Sequence, residues 1–239
     1  MQVTTKAIVL SALKYGDSSL IVKAYTASDG LKTYMLKGVL TNKRGKLKAA
    51  YFLPLMQLEI VAVHRNKGTL ETLKEVKVGI PYKTLHTHVV KNSIVLFLAE
   101  MLGNGIREEE RDQALFNYLE YALHWLDVHD PEPNYHLLFL LNLTKYLGFY
   151  PENPDGTASY FDLAEGCFVA NPGLNPVLED ALAADFKKLL GMDFDALKTI
   201  KIKKTNRQEL LKKVVLYFEL HLHGFRKPKS LAVLNAVFE

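Results

Sequence analysis

A change of period part-way along the chain constrains this sequence more than anything else in it. Over the first 80 residues, β-rich stretches of about eight to eleven residues recur between turn signals. After Ile80-Pro81 the apolar residues fall instead at helical spacing. Five strands are predicted: Lys6 to Lys14, Ser18 to Thr26, Gly30 to Gly38, Leu55 to Arg65 and Leu70 to Lys77. Tyr15-Gly16-Asp17, Ala27-Ser28-Asp29 and Asn66-Lys67-Gly68 supply turn residues between them, and a long basic segment separates the third from the fourth. Leu20, Val22 and Ala24 alternate with Ser19, Ile21 and Lys23, and Leu58 and Ile60 with Gln57 and Glu59, as half-buried strands require. Short strands must hide their edges, and a five-stranded, partly open barrel of the OB type does so economically. An SH3-like barrel is the competing choice.

Beyond Pro81, Val89, Ile94, Leu98 and Leu102 mark a first helix. Arg107 to Val128 reads as a second, opened by Glu108, Glu109 and Glu110 where the helix dipole favours negative charge. Asn134 to Leu147 is the third, stopped by Gly148 and Pro151. The pattern then breaks from Pro151 to Pro172, where Tyr160 to Leu163 and Cys167 to Val169 flank Ala164-Glu165-Gly166 as in a small hairpin. Helical spacing returns from Pro176 to Leu190 and from Asn206 to Gly224. The expected architecture is α+β: an N-terminal OB-fold β-barrel over residues 1–80, then a helical bundle domain over 81–239 with a hairpin inserted at 151–172.

Hydrophobic residues at 49% and charged residues at 23% of 239 are ordinary globular values. The opening MQVTTKAIVL lacks a secretory pattern, and the longest apolar run, Ile94 to Ala99, is too short to span a bilayer. The expected compartment is the cytoplasm, with no membrane partner. One cysteine, Cys167, closes no internal disulfide and no four-thiolate metal site. The net charge of +4 is unevenly spread: residues 1–80 hold 13 Lys and Arg against 5 Asp and Glu, and the remainder is acidic. Such asymmetry points to a polyanionic partner met by the N-terminal module, without separating DNA from RNA or an acidic membrane.

The densest basic feature is Thr41 to Lys48, which holds Lys43, Arg44, Lys46 and Lys48 and follows Lys37. Its charges suit a phosphate backbone, whose counterions they would displace. Lys14, Lys32, Arg65 and Lys67 extend the set over the barrel, and Tyr34, Tyr51 or Phe52 offers a face for base stacking. The bland reading is a solvated loop over structural aromatics. Eight histidines raise a metal-hydrolase reading, with His129-Asp130 as the pair known from HD phosphohydrolases. Against it, His129-Asp130 stands at a helix end before Pro131, and His221 and His223 are two apart on a helix, facing different ways. His86 and His88 share a side only if extended and have no third ligand nearby in sequence. No phosphate-binding G-x-x-x-x-G-K-[ST], dinucleotide G-x-G-x-x-G or serine elbow G-x-S-x-G occurs, so neither catalysis nor a cofactor is expected. Near the C-terminus, Lys203, Lys204, Arg226 and Lys227 either hold an acidic peptide or simply solvate the surface.

Lys6-Ala-Ile-Val-Leu10, Tyr15-Gly-Asp-Ser-Ser-Leu20, Gly30-Leu31, Leu36-Lys-Gly38 and Gly68-Thr-Leu70 together resemble, in order and spacing, the opening of the RecO family of bacterial recombination mediators. Gly224-Phe225 and Lys229-Ser-Leu-Ala-Val-Leu234 are similar to that family's closing segment. The resemblance implies a non-enzymatic protein that binds single- and double-stranded DNA, anneals complementary strands and helps load recombinase onto strands coated by single-strand-binding protein. It implies RecR and the C-terminal tail of single-strand-binding protein as partners, RecA and RecF as indirect ones, and association with the nucleoid. Many relatives carry a four-cysteine zinc site in the inserted hairpin. Here that stretch holds Cys167 alone, so the zinc ligands do not carry over and the hairpin must rest on contacts such as those of Tyr160, Phe161 and Phe168. Two rival readings remain: the metal-dependent hydrolase, and an OB-containing adaptor whose basic loop meets only protein.

Overall fold

The first strand, β1 (Gln2–Tyr15), is long enough to serve two neighbours in turn. Its first half pairs antiparallel with β4 (Gln57–Val63), from Gln2 opposite Val63 to Ile8 opposite Gln57. Its second half pairs with β2 (Ser19–Thr26), from Ala7 opposite Thr26 to Tyr15 opposite Ser19. β3 (Gly30–Leu36) adds to β2 and β5 (Thr72–Ile80) to β4, giving the order β3-β2-β1-β4-β5. These coordinates come from a computed structural model that describes every residue except 42–46, 66–68, 108–109, 153–157 and 239.

The sheet curls but does not close into a barrel. Among the described residues β3 bridges to the start of β5 through a parallel pair, Tyr34 with Glu71, where Glu71 N–H donates to Thr33 O at 2.7 Å and Met35 N–H to Glu71 O at 3.3 Å. This is the partly open five-stranded form expected of the OB type. Ala7, Val9, Val22, Tyr34, Leu36, Leu58, Ile60 and Ala62 fill its interior, with Phe52 sealing it from a 3-10 turn at Ala49–Phe52. Gly30, at φ 61°, turns the chain from β2 into β3 in a conformation that a side chain disfavours.

A β-bulge between Val9 and Ser11 controls the inward face of β1. Before it, Ala7 and Val9 point into the core; after it, Ala12 packs inward, so Ser11, Leu13 and Tyr15 face out. The groups freed at the bulge are not orphaned: Val9 N–H donates to Met56 O at 3.0 Å, and Val9 O accepts from Leu55 N–H at 2.7 Å.

Two helices belong to the same compact unit, which spans Met1–Val128 and Pro228–Leu234. They are α1 (Val89–Gly105) and α2 (Gln113–Val128). The second starts later than the glutamate run suggests, because Asp112 caps it by accepting from Leu115 N–H at 2.9 Å. Glu110 therefore precedes the helix, and Glu108 and Glu109 lie outside the described residues.

The other unit covers His129–Lys227 and Asn235–Glu239. Its first helix, α3 (Tyr135–Leu147), ends as expected at Gly148, whose φ of 83° is left-handed. The expected hairpin is present as β6 (Tyr160–Asp162) and β7 (Cys167–Val169), and β8 (Val177–Leu178) pairs with β6 as a third strand. That extra strand delays the helix expected from Pro176, so α4 runs Asp180–Leu189 and α5 runs Lys204–His221. A last helix, α6 (Leu231–Val237), is shared between the two units, which divide after Leu234. No helix among the described residues is long and apolar enough to cross a membrane.

Candidate nucleic-acid interface

Strand register brings several of the basic candidates to one end of the five-stranded sheet. Lys14 lies opposite Leu20, and Leu20 opposite Leu36, the residue before Lys37. Two interstrand steps of about 4.8 Å put the Lys14 and Leu36 backbones roughly 10 Å apart. Lys14 and Lys37 are both exposed. The segment after β3 is tied to the β1–β2 turn by Leu40 N–H donating to Ser18 O at 2.9 Å. It is anchored in the core at Val39 and Leu47, and exposed Lys48 leads into the 3-10 turn. Lys43, Arg44 and Lys46 lie between those anchors in sequence but outside the described residues, as does Lys67.

Arg65 is exposed toward the other end of β3, in the segment joining β4 to β5. It lines a cleft of about 690 Å³ together with Leu31, Lys32, Thr33, Thr69, Leu70 and Glu71. Strands 2 and 3 and the loops after strands 1 and 4 form the usual oligonucleotide surface of an OB fold, and this cleft occupies part of that surface.

Lys32 departs from the expectation of an exposed cation. It shares the parity of Tyr34 and Leu36, points inward, and retains 4% exposure. Its charge acts on Asp29, within a polar cluster at that end of the sheet. His64 Nδ1 lies 2.9 Å from an Asp29 carboxylate oxygen, and its Nε2 lies 2.8 Å from the Tyr34 hydroxyl. Burial alone raises the Asp29 carboxyl, but hydrogen bonds from Ser28 and His64, with the Lys32 charge, hold it below the ordinary carboxylate range. Burial, then the charges of Asp29 and Glu71, pushes the Tyr34 phenol up. These groups lock the open end of the sheet.

Two of the three expected stacking aromatics are corrected by their burial. Tyr34 and Phe52 are core residues, and Tyr51 packs partly buried against the same cluster. The exposed aromatic on this module is Tyr15, 57% accessible at the end of β1 beside Lys14. As part of Tyr15-Gly16-Asp17 it reads from sequence as a turn residue; only the bulge reveals that it faces out.

In the second unit the four basic candidates do not form one patch. Lys203 and Lys204 begin α5, while Arg226 and Lys227 follow its end, and an 18-residue helix is about 27 Å long. Lys227 also pairs with Glu219 at 3.2 Å.

Two of the histidines raised as metal ligands have structural partners. His86 donates to Pro54 O at 2.8 Å and His221 to Leu163 O at 2.9 Å, the latter ring stacked on Phe149 at 5.1 Å. Among the described residues no three His, Cys, Asp or Glu side chains converge on a point that could hold a metal. The hairpin is built without thiolates. Asp162 accepts from Ala164 N–H at 2.9 Å, Glu165 N–H at 3.0 Å and Asn175 Nδ2 at 3.0 Å. Phe161 packs on Phe186 at 4.6 Å and Phe168 at 5.1 Å. Burial and then the negative charges of Asp162, Glu152 and Glu165 push the Cys167 thiol up, against any role as a nucleophile.

Residues 1–81 match the family model described as Recombination protein O N terminal, and residues 86–232 match Recombination protein O C terminal. The DNA repair protein RecO of Christiangramia forsetii is 55% identical over 238 residues, covering 100% of both chains. Those of Flavobacterium psychrophilum and Phocaeicola vulgatus are 49% and 34% identical, covering 100% and 98% of each chain. With both halves matched and full-length relatives at these identities, the chain belongs to the recombination protein O family.

Proposed function

We propose that this chain acts in DNA repair as a non-enzymatic mediator that binds single- and double-stranded DNA, anneals complementary strands and helps load recombinase onto strands coated by single-strand-binding protein. The observation that carries the reading is the exposure of Lys14 and Lys37 at one end of an OB-type sheet, with exposed Lys48 where the chain re-enters its core at Leu47. Arg65 extends the charge along β3 toward the cleft. A surface that neutralises phosphates while leaving bases accessible lowers the repulsion between two strands and so promotes pairing. No reacting group is required. RecR, the tail of single-strand-binding protein and, indirectly, RecA and RecF are the partners this reading names; the separation of the two ends of α5 argues for one of the two cationic pairs, not both, as a seat for an acidic tail.

The test is single-strand binding across a salt series with wild type and a variant carrying Lys43→Ala, Arg44→Ala, Lys46→Ala and Lys48→Ala. Affinity should fall similarly for all sequences, since phosphate contacts carry no base information. The slope of log affinity against log salt should flatten by about 0.7 per lost contact, roughly three units if all four cations meet phosphates. Circular dichroism controls for folding. An intact variant with unaltered affinity and slope, and a wild type inactive in strand annealing, would refute the reading.

A further inference from the structure

The bulge in β1 places an aromatic and apolar strip on the outside of the sheet, among cations. Outward-facing Leu13 lies opposite Ile21, and Ile21 opposite Met35, forming one row across three strands. Leu13 is 64% exposed and the other two partly so. Tyr15 begins the next row, opposite Ser19, about 6.6 Å along the strand from Leu13. Lys37 follows β3 at that same end, whereas Lys14 has the parity of Ala12 and belongs to the other face of β1. One carboxylate, Asp17, is exposed in the adjoining turn. On the far side of the strip, Lys23 is engaged by donating to Gly103 O at 2.6 Å. An exposed phenol ring beside apolar side chains, with Lys37 at the same end, has the chemistry of a surface that stacks unpaired bases and neutralises a neighbouring phosphate.

We propose that Tyr15, with the Leu13–Ile21–Met35 row beside it, is a base-stacking subsite for single-stranded nucleic acid. The inference rests on the DNA-binding reading above and deepens it, since it divides the work. The cations hold any phosphate backbone, whereas the Tyr15 ring recognises only bases released from a duplex. Paired bases expose their edges and not their faces, so the strip contributes to single strands alone. It also gives the surface a way to keep a captured strand unstacked and open to a complement.

The experiment uses the full chain and two probes, a single strand carrying 2-aminopurine at successive positions and the corresponding duplex. Tyr15→Ala should weaken single-strand binding roughly five- to a hundredfold, the range for loss of one base–aromatic stack, and should abolish aminopurine quenching at one position. Tyr15→Phe should retain both, and Tyr15→Leu, which keeps apolar bulk without a ring face, should lose the quenching. Duplex affinity should stay within twofold, and the salt slope should not change, because no charge is removed. Equal loss on strand and duplex, a changed slope, or unaltered strand affinity in a folded Tyr15→Ala variant overturns the subsite while leaving the cationic interface standing. A wild type that binds neither probe overturns the DNA-binding reading itself, and the subsite with it.

Discussion

Replacing Asp127 by alanine should destabilise the first unit by about 3 to 5 kcal/mol, a figure built from the hydrogen bonds it supports. Asp127 sits in the last turn of α2 and gathers the segment between β5 and α1. Its Oδ1 accepts from Thr84 N–H at 2.8 Å, Leu85 N–H at 3.0 Å and Lys83 N–H at 3.1 Å, while Oδ2 accepts from Lys83 N–H at 3.0 Å. Burial alone raises this carboxyl, but the backbone hydrogen bonds outweigh it and hold it below the ordinary range. Leu85 is fully buried, so its N–H loses its acceptor without gaining water, at about 1 to 3 kcal/mol. The Lys83 and Thr84 N–H groups reach water in part and lose about 1 kcal/mol each. Asp127→Asn keeps the Oδ1 acceptor and only sets an amide NH2 against Lys83 N–H, so it should lose about 1 to 2 kcal/mol. Urea unfolding followed by the fluorescence of Trp125, the sole tryptophan and a neighbour in α2, reads the same unit. An alanine loss below about 1.5 kcal/mol, or an asparagine variant as damaged as the alanine one, would sink the count of stranded donors on which the figure rests.

Three further outcomes are expected. Burial, then the Arg207 charge, lowers the His136 pKa to about 3, so between the unfolded value of about 6.5 and that point the unfolded chain binds the extra proton; stability should fall with pH across this window by up to about 1.4 kcal/mol per unit, and a His136→Leu variant whose acid unfolding keeps the same slope would refute it. Gly166→Ala should lower stability by about 1 to 3 kcal/mol in thermal unfolding, since φ is 72° and the new Cβ would lie 2.8 Å from the Tyr217 hydroxyl, which donates to Phe149 O; an unchanged midpoint would show that the ring moves aside freely. Elemental analysis after dialysis against a chelator should find no stoichiometric zinc, and one zinc per chain would reopen the histidine reading.

Much of this architecture is legible in the sequence because its signals are local. Turn residues bracket the strands, Gly148 stops α3, and the hairpin reads from its flanks. The parts that were not legible depend on partners far away in sequence. A bulge has no residue signature at Val9-Leu10-Ser11, yet it inverts the alternation of β1 and puts Tyr15 outside when the parity of Ala7 and Val9 would bury it. The start of α2 is set by one side chain, Asp112, which caps it, and the glutamate run ahead of it does not reveal that choice. Lys32 differs from its expected exposure for another reason: its parity with Tyr34 and Leu36 is plain in the sequence, but a lysine on an inward position is credible only once Asp29, His64 and Glu71 are seen to furnish a polar interior.

The hairpin of the second unit has a consequence for where such a protein can work. A thiolate-held metal makes a fold answerable to the redox state of its surroundings, since oxidised cysteines release their ion and the module loosens. Here the turn is drawn together by the Asp162 carboxylate and the strands by Phe161, Phe168 and Phe186, groups that peroxide does not readily attack. The described contacts that draw this hairpin together therefore do not hang on the oxidation state of a thiol.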